Sequence, residues 1–189
     1  MKKFLLTALL AATAGVAQAQ MYVAGTVGLT RIGTDCTGTD TCDNTDAGGK
    51  VVLGYALFPS VAFELGYIRF GAAKATVYNA YIDYPVVMEN RAKAMTVGVA
   101  LKSALSPSVD GVLRLGVAKV KSVVPVSLPG YGQLAEYSES KTKLYAGLGL
   151  DYAFSPSLKG VVSADFSKGE ISGERATLRL LGVGFQYDF

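Results

Sequence analysis

From Leu144 to Phe154 the chain reads LYAGLGLDYAF, and its large apolar and small residues fall on alternate positions. Leu144, Ala146, Leu148, Leu150, Tyr152 and Phe154 share one parity; Tyr145, Gly147, Gly149, Asp151 and Ala153 share the other. A period of two belongs to an extended strand, whose successive side chains point to opposite faces. The pattern recurs in LKGVVSADFS, where Leu158, Gly160, Val162, Ala164 and Phe166 oppose Lys159, Val161, Ser163, Asp165 and Ser167. Between Val109 and Lys119 it sets Val109, Leu113, Leu115 and Val117 against Asp110, Val112, Arg114 and Gly116. Followed along the chain, the alternation predicts eight strands, at roughly 21–31, 47–57, 61–71, 93–104, 109–120, 141–154, 158–168 and 175–189.

Pro59, Pro107 and Pro156 lie in short turns, 48 and then 49 residues apart. Proline presets φ for a turn and has no N–H to donate to a ladder. The turns at 58–60, 105–108 and 155–157 alternate with longer, irregular connections, so the chain reads as a meander of hairpins with the prolines on one rim.

The two faces of these strands differ in kind. One carries large aliphatic and aromatic residues; the other carries Gly54, Gly66, Gly98, Gly116, Gly147, Gly149, Gly182 and Gly184 with a few charges. The second face is too poor in polar groups to make a good solvent face. Small residues suit the cramped interior of an eight-stranded barrel, with the large residues turned toward lipid. The expected fold is therefore all-β, an eight-stranded antiparallel up-and-down transmembrane β-barrel. Lys or Arg on a lipid face near mid-membrane costs roughly 2–4 kcal/mol, so central charges should keep to one parity. Glu64, Lys102, Arg114, Asp151 and Asp165 do so. Arg69 and Arg179 fall on the outward parity, far from the proline rim, at the height of headgroups and lipopolysaccharide phosphates. Outward aromatics near that rim (Tyr55, Phe63, Tyr152, Phe154, Tyr187 and Phe189) form an expected interfacial girdle.

Composition sharpens this picture. Half of the 189 residues are apolar and the mean hydropathy is +0.32. Yet no uncharged apolar run beyond the first twenty residues is clearly long enough for a membrane helix. Those first residues combine Lys2 and Lys3, the apolar stretch Phe4 to Val16, and Ala17-Gln18-Ala19, which predicts a signal peptide at 1–19 and a barrel domain at 20–189. Eighteen basic residues less Lys2 and Lys3 leave 16 against 15 acidic ones, a net of +1 that offers no field for nucleic acid.

The final stretch RATLRLLGVGFQYDF alternates to its end, with Tyr187 and Phe189 on one face. With the export signal and the four hairpins, the chain resembles the small outer-membrane β-barrel proteins of Gram-negative bacteria, the OmpA-like and OmpX-like eight-stranded group. The resemblance implies residence in the outer membrane, among its lipids and lipopolysaccharide. It also implies passage with periplasmic chaperones and recognition of Tyr187 and Phe189 by the barrel-assembly machinery. OmpA itself continues into a peptidoglycan-binding domain that has no counterpart after Phe189 here, so wall tethering is not implied.

Candidate chemistry is sparse. The five inward charges Glu64, Lys102, Arg114, Asp151 and Asp165 are expected to form a mixed ion-pair network, because an isolated desolvated ion costs several kcal/mol. Such a network either plugs the lumen and fixes register, or gates small ions. Cys36 and Cys42, in CTGTDTC, are expected to form a disulfide in an exported chain. The sequence contains no histidine, which argues against a metal site and against a hydrolase, leaving no cofactor and no catalytic residue to name. Two long connections, VYNAYIDYPVV and VVPVSLPGYGQL, are rich in Tyr and aliphatic residues. They are either hairpin extensions or a contact surface for a host or other surface protein. The expected role is a structural or surface-interaction barrel; the alternative is a narrow channel for small or hydrophobic solutes, as in OmpW-like proteins.

Overall fold

The structure is a computed structural model that describes residues 21–33, 41–79, 84–128, 132–171 and 174–189. The predicted signal peptide and Cys36 lie outside the described residues. Nine strands follow in order: β1 (Met21–Gly33), β2 (Thr41–Asp43), β3 (Thr45–Phe58), β4 (Val61–Asn79), β5 (Tyr84–Ser106), β6 (Val109–Leu128), β7 (Gly132–Ala153), β8 (Leu158–Ile171) and β9 (Glu174–Asp188). All pairings are antiparallel, and β4 pairs with β5 as well as with β3, so that eight strands close into a ring. β2 is a three-residue piece that pairs with the upper part of β4, where β3 no longer does.

The ring is completed by β1 against β9, from Tyr22 opposite Asp188 to Gly33 opposite Thr177. The Phe189 N–H also donates to the Met21 carbonyl at 2.9 Å. Both ends of the barrel therefore meet at the rim that carries the three proline turns. The long connections β4–β5 and β6–β7 lie at the opposite rim.

The hairpins on one side are taller than the alternation suggested. β4, β5, β6 and β7 run for 19, 23, 20 and 22 residues, whereas β1, β3, β8 and β9 have 13 to 15. The Tyr- and Val-rich segments read as connections are largely strand: Val77 stands opposite Val86, and Val124 opposite Tyr137. β-branched and aromatic residues favour paired strands, and here they extend the ladder beyond the membrane. Residues 80–83 and 129–131, between these strands in sequence, lie outside the described residues. On the other side β7 pairs with β8 only up to Ala146 opposite Phe166. Above that, Ser167 Oγ donates to the Leu144 carbonyl at 3.0 Å and Lys143 pairs with Glu170.

The two parities separate as the alternation requires. Leu115, Leu148, Val162, Val183 and their neighbours stand exposed on the outer wall, and Arg114, Gly147, Ser163 and Gly182 turn inward. The aromatics Phe63, Tyr152, Phe154, Tyr187 and Phe189 are exposed near the proline rim. One feature departs from the expected lumen of glycines and ions. Its upper part is an apolar core containing Ile32, Ile68, Phe70, Val120, Leu178 and Leu180. These residues flank, in sequence, the outward cations Arg31, Arg69, Lys119, Lys121 and Arg179. Within the hydrocarbon the large apolar groups face out; one step higher, where the surroundings become polar, they face in.

The bend in β4 at this level rests on Gly71, whose φ of 68° lies in the left-handed region that favours glycine. It occupies the register shift between Arg69 and Ala72 in the β4–β5 ladder.

Candidate functional site

The lower lumen holds the polar groups, whose charges come from six of the eight barrel strands, β3 to β8, with the Tyr22 hydroxyl added by β1. Glu64 on β4 and Arg114 on β6 form an ion pair, with Arg114 Nε donating to Glu64 Oε2 at 2.9 Å and Oε1 at 3.2 Å. The Tyr22 hydroxyl of β1 donates to Glu64 Oε1 at 2.6 Å. Its ring lies across Gly54, where a Cβ would collide with it; glycine there makes room for the aromatic ring.

A second cluster surrounds Asp165 on β8. Lys50 of β3 donates to both its oxygens, at 2.8 and 2.7 Å. The Tyr145 hydroxyl donates to Oδ1 at 2.5 Å and Ser163 Oγ to Oδ2 at 3.1 Å. Lys50, Asp165, Glu64 and Arg114 are all buried. Each carboxylate thus meets one cation and at least one hydroxyl, the saturation a desolvated pair needs.

The remaining two predicted members are placed differently. Lys102 on β5 sets its Nζ 4.1 Å from the centroid of the Tyr22 ring, a cation–π contact. Asp151 on β7 is 1 % exposed, and among the described residues neither of its oxygens accepts a hydrogen bond. Arg114 Nη1 likewise has no partner among them. Nearer the rim Lys159 pairs with Asp188 at 3.0 Å and approaches Asp110 at 4.0 Å. Of the five charges singled out from the sequence, only Glu64 and Arg114 pair with each other. Asp165 turns to Lys50, which the reading of the sequence missed although Lys50 shares the parity of Gly54 on its strand.

Three cations (Lys50, Lys102, Arg114) and three carboxylates (Glu64, Asp151, Asp165) leave the set neutral. Among the described residues no group of three or more His, Cys, Asp or Glu could hold a metal. Cys42 lies in β2, and its predicted partner Cys36 lies outside the described residues.

The sequence matches the outer membrane protein beta-barrel domain over residues 4–189. The chain belongs to that family. The family and the ring of strands place the protein in the Gram-negative outer membrane. Solved barrels of the same fold include Ail, the attachment invasion locus protein of Yersinia pestis, at 15% identity and a TM-score of 0.55. That match covers 89% of this chain and 99% of Ail. Neisserial surface protein A matches at 13% identity and a TM-score of 0.58, over 89% of this chain and 97% of its own. OprG from Pseudomonas aeruginosa matches at 12% and 0.57, over 90% and 96%. No curated protein sequence matches. At these identities the shared property is the fold. Within the family's barrel, Tyr187 and Phe189 end the closing strand on the outer face, their rings edge to face with centroids 5.2 Å apart.

Proposed function

We propose that this outer-membrane β-barrel is a closed-lumen surface protein, a structural anchor whose tall β4–β7 wall meets molecules outside the cell. The observation that carries the reading is the double filling of the lumen: paired ions below, with Arg114 1 % exposed and Asp165 fully buried, and an apolar core above. A pore needs a continuous wet path, and buried pairs under a dry core do not offer one. The projecting wall and the attachment role printed in Ail's name both support a surface contact, with a host or neighbouring surface protein as partner. Tyr187 and Phe189 would serve as the signal read by the assembly machinery, periplasmic chaperones would carry the unfolded chain, and Cys36 and Cys42 would tie the first extracellular hairpin. Planar-bilayer recording of the refolded protein should find no steady conductance. Deleting residues 124–133 should lower cell adhesion while leaving the barrel folded; stable channels together with unchanged adhesion would overturn the reading.

A narrow gated channel is the second reading, and Asp151 favours it. Among the described residues its carboxylate has no hydrogen-bond partner, and neither has Arg114 Nη1, which lies against Gly149, two residues from Asp151 on the same face of β7; Arg114 therefore has a second acid nearby to turn to. If that movement opens a path, Arg114→Ala would raise conductance well above that of the parent protein; silence in both would dismiss the gate.

A further inference from the structure

On the outer wall, Arg69 of β4 stands directly opposite Lys93 of β5, and Lys93 directly opposite Lys121 of β6. All three are exposed. Directly paired residues hold their Cβ atoms about 5 Å apart, and like charges so placed destabilise a sheet. None of the three forms an ion pair among the described residues.

The nearby acids are engaged elsewhere. Arg91 grips Glu89 at 2.9 and 3.0 Å, and this contact holds the Glu89 carboxyl below the usual carboxylate range. Asp46 accepts the backbone N–H groups of Ala47 and Ala72, each at 2.8 Å. The cations line a recess of about 500 Å³ on this wall. A second groove of about 590 Å³ adjoins it and shares Tyr67, Arg69 and Asp46. Gly25 and Gly49 lie along that groove without outward side chains, beside Val27, Val51 and Tyr67. Arg69 and Lys93 sit where the wall's polarity inverts, one step above the last lipid-facing residues Tyr67 and Met95; on β6 the outward cations begin at Lys119, opposite Met95, and continue to Lys121.

We propose that this wall binds one phosphorylated, acylated lipid of the outer leaflet, its phosphate on the Arg69–Lys93–Lys121 row and an acyl chain in the Gly25–Gly49 groove. A free anion has no use for the groove, and a neutral lipid leaves three cations repelling one another. An amphiphile at the hydrocarbon boundary answers both. Guanidinium and ammonium donors are suited to phosphate, and charge-assisted bonds are the stronger kind. The opposite wall offers a comparison: Arg31 faces Arg179, but their next neighbours in the row are Thr45 and Phe166, so only two cations align.

Native mass spectrometry of the folded barrel in detergent tests this with diphosphoryl lipid A, fully dephosphorylated lipid A and inorganic phosphate. The parent protein should retain one diphosphoryl lipid A, and the dephosphorylated form should bind about tenfold or more weakly, as expected when several charge-assisted bonds are lost. Replacing Arg69, Lys93 and Lys121 together by Gln should reproduce that loss, and Arg31→Gln with Arg179→Gln should not. Gly25→Leu, where an added Cβ meets nothing within 4 Å, should weaken retention by filling the groove. Equal binding by the triple variant, indifference to dephosphorylation, or displacement of the lipid by equimolar inorganic phosphate would each overturn the proposal. The heat-dependent gel shift reports whether each variant is folded; should the triple variant fail to fold, Lys93→Gln alone carries the test, with a several-fold loss expected.

Discussion

Arg114 is the side chain on which the lower lumen turns. It pairs with Glu64, both side chains being buried, so its loss leaves the Glu64 carboxylate without a cation in the interior. Breaking a buried pair by removing one partner costs about 3–5 kcal/mol. Arg114→Ala should therefore lower stability by about that amount in a urea titration followed by the heat-dependent gel shift. The double change Arg114→Met with Glu64→Gln should recover a large part of it, since no unpaired acid is left at position 64. Equal losses in both proteins would show that packing, rather than charge, is what Arg114 supplies. At this scale the alternation in the sequence identifies which side chains turn inward, but not which of them touch. Lys50 was reachable, because it shares the parity of Gly54 and Val52. That Asp165 would choose Lys50 over Arg114 depends on strand stagger around the ring, which no single strand records.

Each strand of the barrel carries its own measure of the membrane. On β6 the outward positions run from Val109 through Leu113, Leu115 and Val117 before reaching Lys119 and Lys121. Nine residues at about 3.3 Å each, tilted by roughly 40°, span about 23 Å, close to the apolar band of such barrels. A cation at Leu113, midway along that span, should accordingly cost roughly 2–4 kcal/mol, and one at Val117, at the boundary, less. Urea unfolding in lipid vesicles of Leu113→Lys and Val117→Lys measures the gradient; equal costs would mean the band is misplaced. Inside this band the strands were legible, because hydrocarbon enforces the alternation. Above it they were not. There the outer face becomes polar and the inner face apolar, so the alternation persists with its meaning exchanged, and the Val- and Tyr-rich crests of β4 to β7 resembled loops. The bulge at Gly71 was hidden for a different reason: a lone glycine in a strand does not say which φ it will take.

For the whole molecule, the closed-lumen proposal makes a layered prediction. Ion pairs held by Tyr22, Tyr145 and Ser163 lie beneath the Ile32–Ile68–Phe70–Leu178–Leu180 core, and under that proposal both layers would have to part before water could pass. Loosening one layer should be insufficient. Phe70→Ala, which removes a fully buried ring, should cost about 3–5 kcal/mol in stability yet leave bilayer recordings silent. Conductance appearing in Phe70→Ala alone would show that the upper core is the sole seal. The closed ring and its location in the outer membrane were legible from alternation, proline spacing and the terminal aromatic strand. The division of the interior into a salt layer and an oil layer was not, since it depends on height above the proline rim.

The pairing of β1 with β9 has a temporal consequence. These strands come from opposite ends of the fold, so the cylinder cannot shut until the last of them has been synthesised and delivered. Until then the sheet keeps two open edges of unpaired N–H and C=O groups, a longer exposure than in a protein whose neighbours in space are also neighbours in time.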